Sequence, residues 1–200
     1  MSIIIGICGG SASGKSTFAY ELARSLRIEN CVIVSLDNYY IDYTIKETSL
    51  NRINYDHPDS IDLDLFTSHI KTLNSGQSVD SPRYDFTTHK RLNKTIRITP
   101  AKYVLIEGLF LFILPGISNL INIKLFIDTP AELRLQRRIQ RDILERNRDQ
   151  QSILHQYEQQ VKPMHIKYVE PNKDLAQLIL HGDQAFSEQL SAVHELINRL

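Results

Sequence analysis

The fold is decided by the stretch Gly9-Gly10-Ser11-Ala12-Ser13-Gly14-Lys15-Ser16-Thr17, which fits the pattern G-x-x-x-x-G-K-[ST] without a mismatch. An apolar run at residues 3–8 precedes it and predicts a buried parallel strand. Residues 16–26 follow it with the apolar spacing of a helix. A turn of small residues before a helix is the alternative, but a Gly-Lys-Ser-Thr tetrad directly after an apolar strand favours a phosphate-binding loop.

The chemistry of this loop follows from its residue types. Glycines let the backbone turn tightly, so that its N–H groups can point at phosphate oxygens. The start of the helix adds positive potential at the same place. Lys15 brings a full charge to the outer phosphates, and the hydroxyl of Ser16 can ligate Mg²⁺. We therefore expect the whole stretch from Gly9 to Thr17 to bind the phosphates of a nucleotide.

Composition limits the class of protein. The chain has 200 residues, with 42% hydrophobic and 23% charged residues, which suits a single globular domain over residues 1–200. Lys+Arg and Asp+Glu both number 23, so the net charge gives no argument for a nucleic-acid or membrane partner, and we expect neither. The sequence shows no signal peptide and no membrane span. We expect a cytoplasmic protein with Cys8 and Cys31 as reduced thiols.

Acidic residues follow two further apolar runs. Residues 31–36 predict a second strand that ends at Asp37, and residues 103–106 predict a third that runs into Glu107. Ligands of open α/β sheets bind beyond the carboxyl ends of the strands. Glu107 is therefore expected to bind Mg²⁺ directly or through water. Asp37 either faces the phosphate-binding loop or caps a turn, and its position alone leaves both readings open.

The remaining elements are predicted from hydrophobic period and from turn residues. Together they predict an α/β fold, a five-stranded parallel sheet flanked by helices with a small β-hairpin at its side. The remaining predicted elements are a short helix at 43–50, a helix at 63–73 capped by Asp59 or Ser60, a hairpin of strands 82–86 and 94–98 joined by 87–93, strands at 123–127 and 176–180, a helix at 152–168 interrupted at Pro163, and a C-terminal helix at 186–200.

An arginine-rich helix is predicted over residues 131–147, with Pro130 in its first turn and Asp128 or Thr129 as its cap. Six arginines lie between Arg134 and Arg148, although the chain is neutral overall. Those at 134, 137, 138 and 141 lie roughly opposite the apolar residues 135, 139 and 143. A solvated charged face is one interpretation. Because the excess is all arginine, which suits bidentate phosphate contacts, we expect a lid over about residues 131–157.

The chain resembles the uridine kinase (uridine–cytidine kinase) family of P-loop kinases, which is grouped with phosphoribulokinase. The matching motifs occur in family order from near the N-terminus to about residue 183. Beyond the phosphate-binding loop they are Asp37-Asn-Tyr-Tyr40, Asn54-Tyr-Asp-His-Pro-Asp59, Pro82-Arg-Tyr-Asp-Phe-Thr-Thr-His-Lys-Arg91, Ile106-Glu-Gly108, Phe126-Ile-Asp-Thr-Pro130, Arg137-Arg-Ile-Gln-Arg-Asp142, Glu145-Arg-Asn-Arg-Asp149 and Gln156-Tyr157.

The resemblance implies a kinase that uses Mg²⁺ with ATP or GTP and converts uridine, and cytidine, to the 5′-monophosphate. Asp37 matches the base that accepts the proton of the ribose 5′-hydroxyl, and it is also expected beside the metal with Ser16 and Glu107. The cations at the phosphates would be Lys15, Arg141 and Arg146. The nucleoside would contact Asp56 and Arg138 at the ribose, Tyr84, Phe86 and His89 at the pyrimidine ring, and Arg148 and Gln156. The family often forms tetramers.

Two segments depart from the family pattern. Asn147 stands where the family has glycine, although asparagine tolerates the left-handed backbone that such a turn requires. The segment Leu180-His181-Gly182-Asp183 replaces a Pro-Arg-Gly turn near the base of the donor nucleotide. Two other functions stay open at this point. They are a phosphoribulokinase-like kinase of another acceptor, and a nucleotide-binding module without catalysis.

Overall fold

The structure is a computed structural model that describes residues 1–42 and 54–200. A five-stranded sheet forms its centre, and every neighbouring pair of strands is parallel. In spatial order the strands are β2 (Cys31–Ser35), β7 (Tyr103–Gly108), β1 (Ile3–Gly9), β8 (Ile123–Asp128) and β9 (Leu178–His181). The predicted parallel sheet is confirmed, and the helix predicted at 43–50 lies outside the described residues.

Helices cover both faces of this sheet. They are α1 (Lys15–Ser25), α2 (Leu63–Asn74), α3 (Pro115–Ser118), α4 (Ala131–Arg146), α5 (Gln150–Gln156), α6 (Lys162–Met164) and α7 (Phe186–Ile197). Alternate residues of β1 point to opposite faces. Ile5 and Ile7 pack in one core with Phe18 of α1 and Val193 of α7, whereas Ile4 packs in the other core with α2. The carboxyl ends of the strands therefore form an edge held rigidly by two cores.

The side element differs from the prediction of one hairpin. Strand β3 (Val79–Ser81) pairs with β6 (Ile96–Ile98), and between them β4 (Tyr84–Asp85) pairs with β5 (Lys90–Arg91). The predicted pairing of 82–86 with 94–98 across a connection at 87–93 is thus wrong. Asp85 closes a tight turn instead, since its carboxylate accepts hydrogen bonds from the Thr87 N–H at 2.8 Å and the Thr88 hydroxyl at 2.7 Å.

Two predicted helix caps are also wrong. Asp62 caps α2 by accepting a hydrogen bond from the Leu65 N–H, because Asp59 and Ser60 belong to a preceding 3₁₀ turn. Helix α4 begins after Pro130 with no side-chain cap. Thr129 donates its hydroxyl proton to the carbonyl of Ser13, and Asp128 accepts from Lys173. Both predicted caps of α4 are thus engaged elsewhere, one of them with the phosphate-binding loop.

Helix α4 turns its polar side towards the protein. Arg134, Arg138 and Asp142 are its buried positions, whereas Ile143 is 42% and Leu144 83% exposed. The helical path that follows, from Gln150 to Asn172, contains π-turns at Tyr157–Val161 and His165–Val169, which lie on either side of Pro163.

Two further observations concern the cysteines and the helices. Cys8 and Cys31 are both free thiols. In the part of the chain that the structure describes, none of the helices combines the length and the apolar character that crossing a membrane requires.

Candidate active site

A cavity of about 690 Å³ opens at the carboxyl edge of the sheet. The phosphate-binding loop forms one side of it, and the segment that follows Asn54 and the β4–β5 hairpin form the other. On the phosphate side its wall carries Lys15, Ser16, Asp37, Glu107, Arg141 and Arg146. On the opposite side it carries Asp56, Phe86, His89, Arg138, Arg148 and Gln156. One cavity thus brings together most of the predicted site residues, whereas Gly9, Gly10, Ser13 and Tyr84 do not line it.

The phosphate-binding loop has the geometry of an anion cradle. Gly14 precedes α1 with φ 100° and no side-chain cap, and Ala12 has φ 60°, so both lie in the left-handed region. The first N–H groups of a helix have no intrahelical acceptor, and Gly14 at the N-cap offers them no side chain. The Lys15 ammonium is buried and donates to the Gly10 carbonyl at 2.8 Å. These groups fit a nucleotide polyphosphate.

Glu107 lies directly against the start of α1. Its Oε1 accepts a hydrogen bond from Ser16 Oγ at 3.2 Å. The parallel register places Ser35 beside Glu107, so that Asp37 follows at the same edge. Burial raises the pKa of the Glu107 carboxyl, the nearby charge of Asp37 raises it further, and Lys15 opposes both effects. A cation at this place would relieve the cost of the two carboxylates.

The donor set suits a hard cation. Carboxylate and hydroxyl oxygens are the ligands that Mg²⁺ accepts, and Mg²⁺ keeps several waters and binds substrate phosphates as well. Across residues 1–42 and 54–200 no group of three or more His, Cys, Asp and Glu residues forms a metal cage. The residues that fit Mg²⁺ are therefore Ser16, Glu107 and Asp37, with phosphate oxygens needed to complete the coordination.

A buried ion pair lies between the two sides of the cavity. Arg138 Nη1 is 3.7 Å from Asp56 Oδ1, and both side chains are almost completely buried. Burial raises the pKa of the Asp56 carboxyl, while Arg138 lowers it. The distance is too long for a hydrogen bond, so that the carboxylate keeps acceptor capacity towards the cavity. A vicinal diol, which offers two hydroxyl donors, fits this arrangement.

Aromatic rings form the wall beyond the ion pair. Phe86, His89, Tyr40 and Tyr55 line the cavity, and the ring of Tyr55 stacks on that of His89 with centroids 4.8 Å apart. Tyr84, which we predicted to contact the substrate, lies buried behind this wall, with ring centroids 5.2 Å from both Tyr40 and Phe86. A flat ring fits between such walls, and Tyr84 supports them from behind.

Arg146 joins the aromatic wall to the arginine helix. Its guanidinium lies 4.3 Å from the centroid of the Phe86 ring, a cation–π contact. Burial and the neighbouring Arg141 lower the pKa of Arg146. Asn147 follows with φ 52° and ψ 43°, so that the left-handed turn survives without glycine.

Gln156 holds two of the predicted substrate arginines. Its Oε1 accepts a hydrogen bond from Arg138 Nη2 at 3.1 Å and another from Arg148 Nη1 at 2.5 Å. Arg148 also donates to Ser152 Oγ. Gln156 therefore fixes the two guanidinium groups relative to each other at the cavity wall.

The end of the cavity beside α1 is built by one residue of the segment that departs from the family pattern and by three residues that follow this segment. Gly182, Gln184, Ala185 and Phe186 line it. A Cβ at Gly182 would lie 2.0 Å from Thr129 Oγ1 and 2.5 Å from the Ser13 carbonyl. Only glycine lets this segment approach the phosphate-binding loop so closely.

Several contacts at the site were not predicted from the sequence. Asp142, which is completely buried, pairs with four arginines. His165 packs with Arg134 against Gly10. Arg91 donates to the carbonyls of Tyr39 and Tyr40. Asp142 follows Arg141 directly inside the arginine run, and an acid in that position was the available signal of a counterion.

The fold and the phosphate-binding loop define a P-loop kinase. The chain belongs to the Phosphoribulokinase / Uridine kinase family, whose model matches residues 4–185. It is 43% identical to the uridine kinase of Chloroflexus aurantiacus over 90% of this chain and 87% of that protein. It is 37% identical to the uridine kinase of Clostridium perfringens over 98% of this chain and 97% of that protein. The phosphoribulokinase of Rhodobacter spheroides shares the fold, with a TM-score of 0.69 at 13% identity over 90% of this chain and 70% of that chain.

Proposed function

We propose that this protein transfers the γ-phosphate of ATP or GTP to the 5′-hydroxyl of uridine and of cytidine. The observation that carries the proposal is the single cavity in which an aromatic wall, the Asp56–Arg138 pair and the phosphate-binding loop follow one another. In such a reaction the pyrimidine ring, the ribose diol and the transferred phosphate follow one another in the same order as these three parts of the cavity. The relatives described as uridine kinases support the same acceptor.

Each residue of the site has its own role in the proposed reaction. The bond that forms joins the 5′-oxygen to the γ-phosphorus, and the bond that breaks joins the γ-phosphorus to its bridging oxygen. Asp37 takes the proton of the 5′-hydroxyl. Lys15, Arg141 and Arg146 stabilise the charge of the phosphoryl group in transfer. Mg²⁺ held through Ser16, Glu107 and Asp37 would neutralise the phosphates. Closure of the segment at about 131–157 would exclude water.

The two rival functions are less well supported. A phosphorylated sugar acceptor requires free cations in the acceptor pocket. Arg138 and Arg148 lie there, but Gln156 and Asp142 engage both of them, and Phe86 and His89 form an aromatic wall that suits a flat base. The Asp85 carboxylate closes the hairpin turn, so that Asp56 supplies the acid of this pocket. The intact Lys15, Asp37 and Glu107 argue against a nucleotide-binding module without catalysis. A cytoplasmic location and a tetrameric assembly belong to the same proposal.

The test is an acceptor panel. Purified protein with MgATP or MgGTP is offered uridine, cytidine, other nucleosides, ribulose 5-phosphate and other sugar phosphates, and each product is identified by mass. We expect the 5′-monophosphates of uridine and cytidine. Turnover of a sugar phosphate in place of the nucleosides would support the phosphoribulokinase-like alternative, and nucleotide binding without any product would support the binding module.

A further inference from the structure

Asp142 lies at the centre of the arginine segment. Its side chain is fully buried on α4, and four guanidinium groups lie within 4 Å of it. Its carbonyl also accepts hydrogen bonds from the N–H groups of Asn147 and Arg148. The side chain and the main chain of one residue therefore hold both the helix end and the arginines around it.

The two carboxylate oxygens of Asp142 contact different arginines. Oδ1 lies 2.8 Å from Arg141 Nη2 and 3.5 Å from Arg146 Nη1, which are the two arginines that we assign to the phosphates. Oδ2 lies 3.6 Å from Arg138 Nε and 3.6 Å from Arg148 Nη1, which are the two that we assign to the nucleoside. One carboxylate therefore sets the spacing between the phosphate group of arginines and the nucleoside group.

The charge balance makes this carboxylate a competitor of the substrate. Four guanidinium groups face Asp142, and one of them, Arg138, also faces Asp56, so the cluster still keeps a positive excess that attracts polyphosphate. Each Arg–carboxylate contact also restricts a flexible side chain before the substrate binds. Oδ2 is buried and makes ion pairs without a hydrogen bond among the described residues. The carboxylate thus orients the arginines at the cost of some of their attraction for phosphate.

We propose that Asp142 is a positioning residue. It orients Arg141 and Arg146 for phosphate transfer and Arg138 and Arg148 for nucleoside binding, and its charge limits the affinity of the segment for polyanions. The assignment of the two arginine groups rests on the proposed function. The competition with polyphosphate does not, because it depends only on the charges around Asp142. These two parts can therefore be tested separately.

The test compares Asp142→Asn and Asp142→Glu with the wild type. Asp142→Asn removes the charge at nearly constant size, and we expect ATP to bind about fivefold more tightly, because a negative charge that repels the phosphates is gone. We expect kcat to fall at least about tenfold, because the arginines lose their orientation. Asp142→Glu keeps the charge but displaces it, so kcat should fall while the Kd for ATP stays within about twofold of the wild-type value.

Binding of ATP is measured by calorimetry without nucleoside, and kcat with the acceptor that the panel identifies. Glu132→Gln is the matched control, since it removes one negative charge from an exposed position of the same helix. Weaker ATP binding by Asp142→Asn, or an unchanged kcat in both variants, would overturn the proposal. If Asp142→Asn does not fold, the test rests on Asp142→Glu alone. A lower kcat with an unchanged Kd for ATP would then support the proposal, and an unchanged kcat would overturn it. A failed uridine assay in the wild type would refute the acceptor and leave the ATP measurement valid.

Discussion

Arg138 Nη1 donates a hydrogen bond to Ser11 Oγ over 2.9 Å. The same nitrogen lies 3.7 Å from Asp56 Oδ1, so one guanidinium contacts both the phosphate-binding loop and the residue that we assign to the ribose. The two sides of the cavity therefore meet at a single side chain. Such proximity is what transfer between a donor phosphate and an acceptor hydroxyl requires, since the reacting atoms must approach to about 3–3.5 Å.

Replacing Asp37 by asparagine tests the catalytic base. The amide cannot take the proton of the 5′-hydroxyl, so kcat should fall by about 10²–10⁴-fold while ATP and uridine still bind. The measurement combines kcat with equilibrium binding of both substrates. Asp64→Asn, at an exposed position in the first turn of α2, is the control and should behave as the wild type. Near wild-type turnover by Asp37→Asn at neutral pH would contradict the assignment.

Choice of sugar tests the Asp56–Arg138 pair. A 2′-deoxynucleoside leaves an acceptor of the buried Asp56 carboxylate unmatched, which costs about 1–3 kcal/mol. Uridine should therefore exceed deoxyuridine in kcat/KM by about ten- to a hundredfold, and Asp56→Ala should bring the ratio towards one. Asp37→Asn serves as the control, because it should lower both rates and keep the ratio. A ratio that Asp56→Ala leaves unaltered would show that the ribose is read elsewhere.

Gly182→Ala tests the close approach of the last strand to the phosphate-binding loop. The added methyl group would meet Thr129 Oγ1 and the Ser13 carbonyl inside contact distance, so the loop must shift. We expect lower thermal stability and weaker ATP binding, since overpacking costs about 1–3 kcal/mol. Calorimetric ATP binding and a melting curve are the measurements. Asp183→Ala, an exposed neighbour, should alter neither, and a Gly182→Ala protein with wild-type affinity would disprove the steric argument.

The pH dependence of stability tests the packing of His165 against Arg134. Burial and the charge of Arg134 lower the pKa of His165 to about 4, so the folded protein keeps this ring neutral where the unfolded chain protonates it at about 6.5. Its contribution to stability is therefore present above pH 6.5 and is lost towards pH 4, by about 1.4 kcal/mol per pH unit. Burial raises the pKa of Asp56 and of Glu107, and these two carboxyl groups stabilise the folded protein as the pH falls. The effect of His165 is therefore measured as the difference in unfolding free energy between the wild type and a variant.

The variant is His165→Gln, and the measurement is the free energy of unfolding from pH 7.5 to 5. The wild type should lose more stability than the variant as the pH falls, and the difference between the two should change steadily below pH 6.5. Parallel curves for the two proteins would mean that His165 does not titrate as its environment requires.

The sequence predicted the sheet well because its strands are apolar runs that end in recognisable residues. The phosphate-binding loop, Asp37 and Glu107 followed directly from that pattern, and the resemblance added Asp56, Phe86 and the arginines. The meeting of the loop, Asp37 and Glu107 in one cavity was predictable because the carboxyl ends of parallel strands share an edge.

Other features depend on contacts that sequence spacing does not reveal. The pairing of β4 with β5 follows from the hydrogen bonds of Asp85 within a turn, which local polarity could not distinguish from an edge strand. Tyr84 alternates with Phe86 and so appeared equivalent to it, but the hairpin places it behind the wall. The buried face of α4 consists of arginine and aspartate, which a hydrophobic pattern assigns to solvent.

Phosphate transfer to the 5′-hydroxyl of uridine is the decisive measurement for the proposed function. The protein is incubated with MgATP and uridine, or with 5′-deoxyuridine, which has the same base and diol but lacks the acceptor hydroxyl. We predict uridine 5′-monophosphate from the first reaction, no phosphorylated product from the second, and competitive inhibition of uridine turnover by 5′-deoxyuridine. A phosphorylated 5′-deoxyuridine, or a wild-type protein that binds ATP and leaves uridine unchanged, would contradict the proposed function.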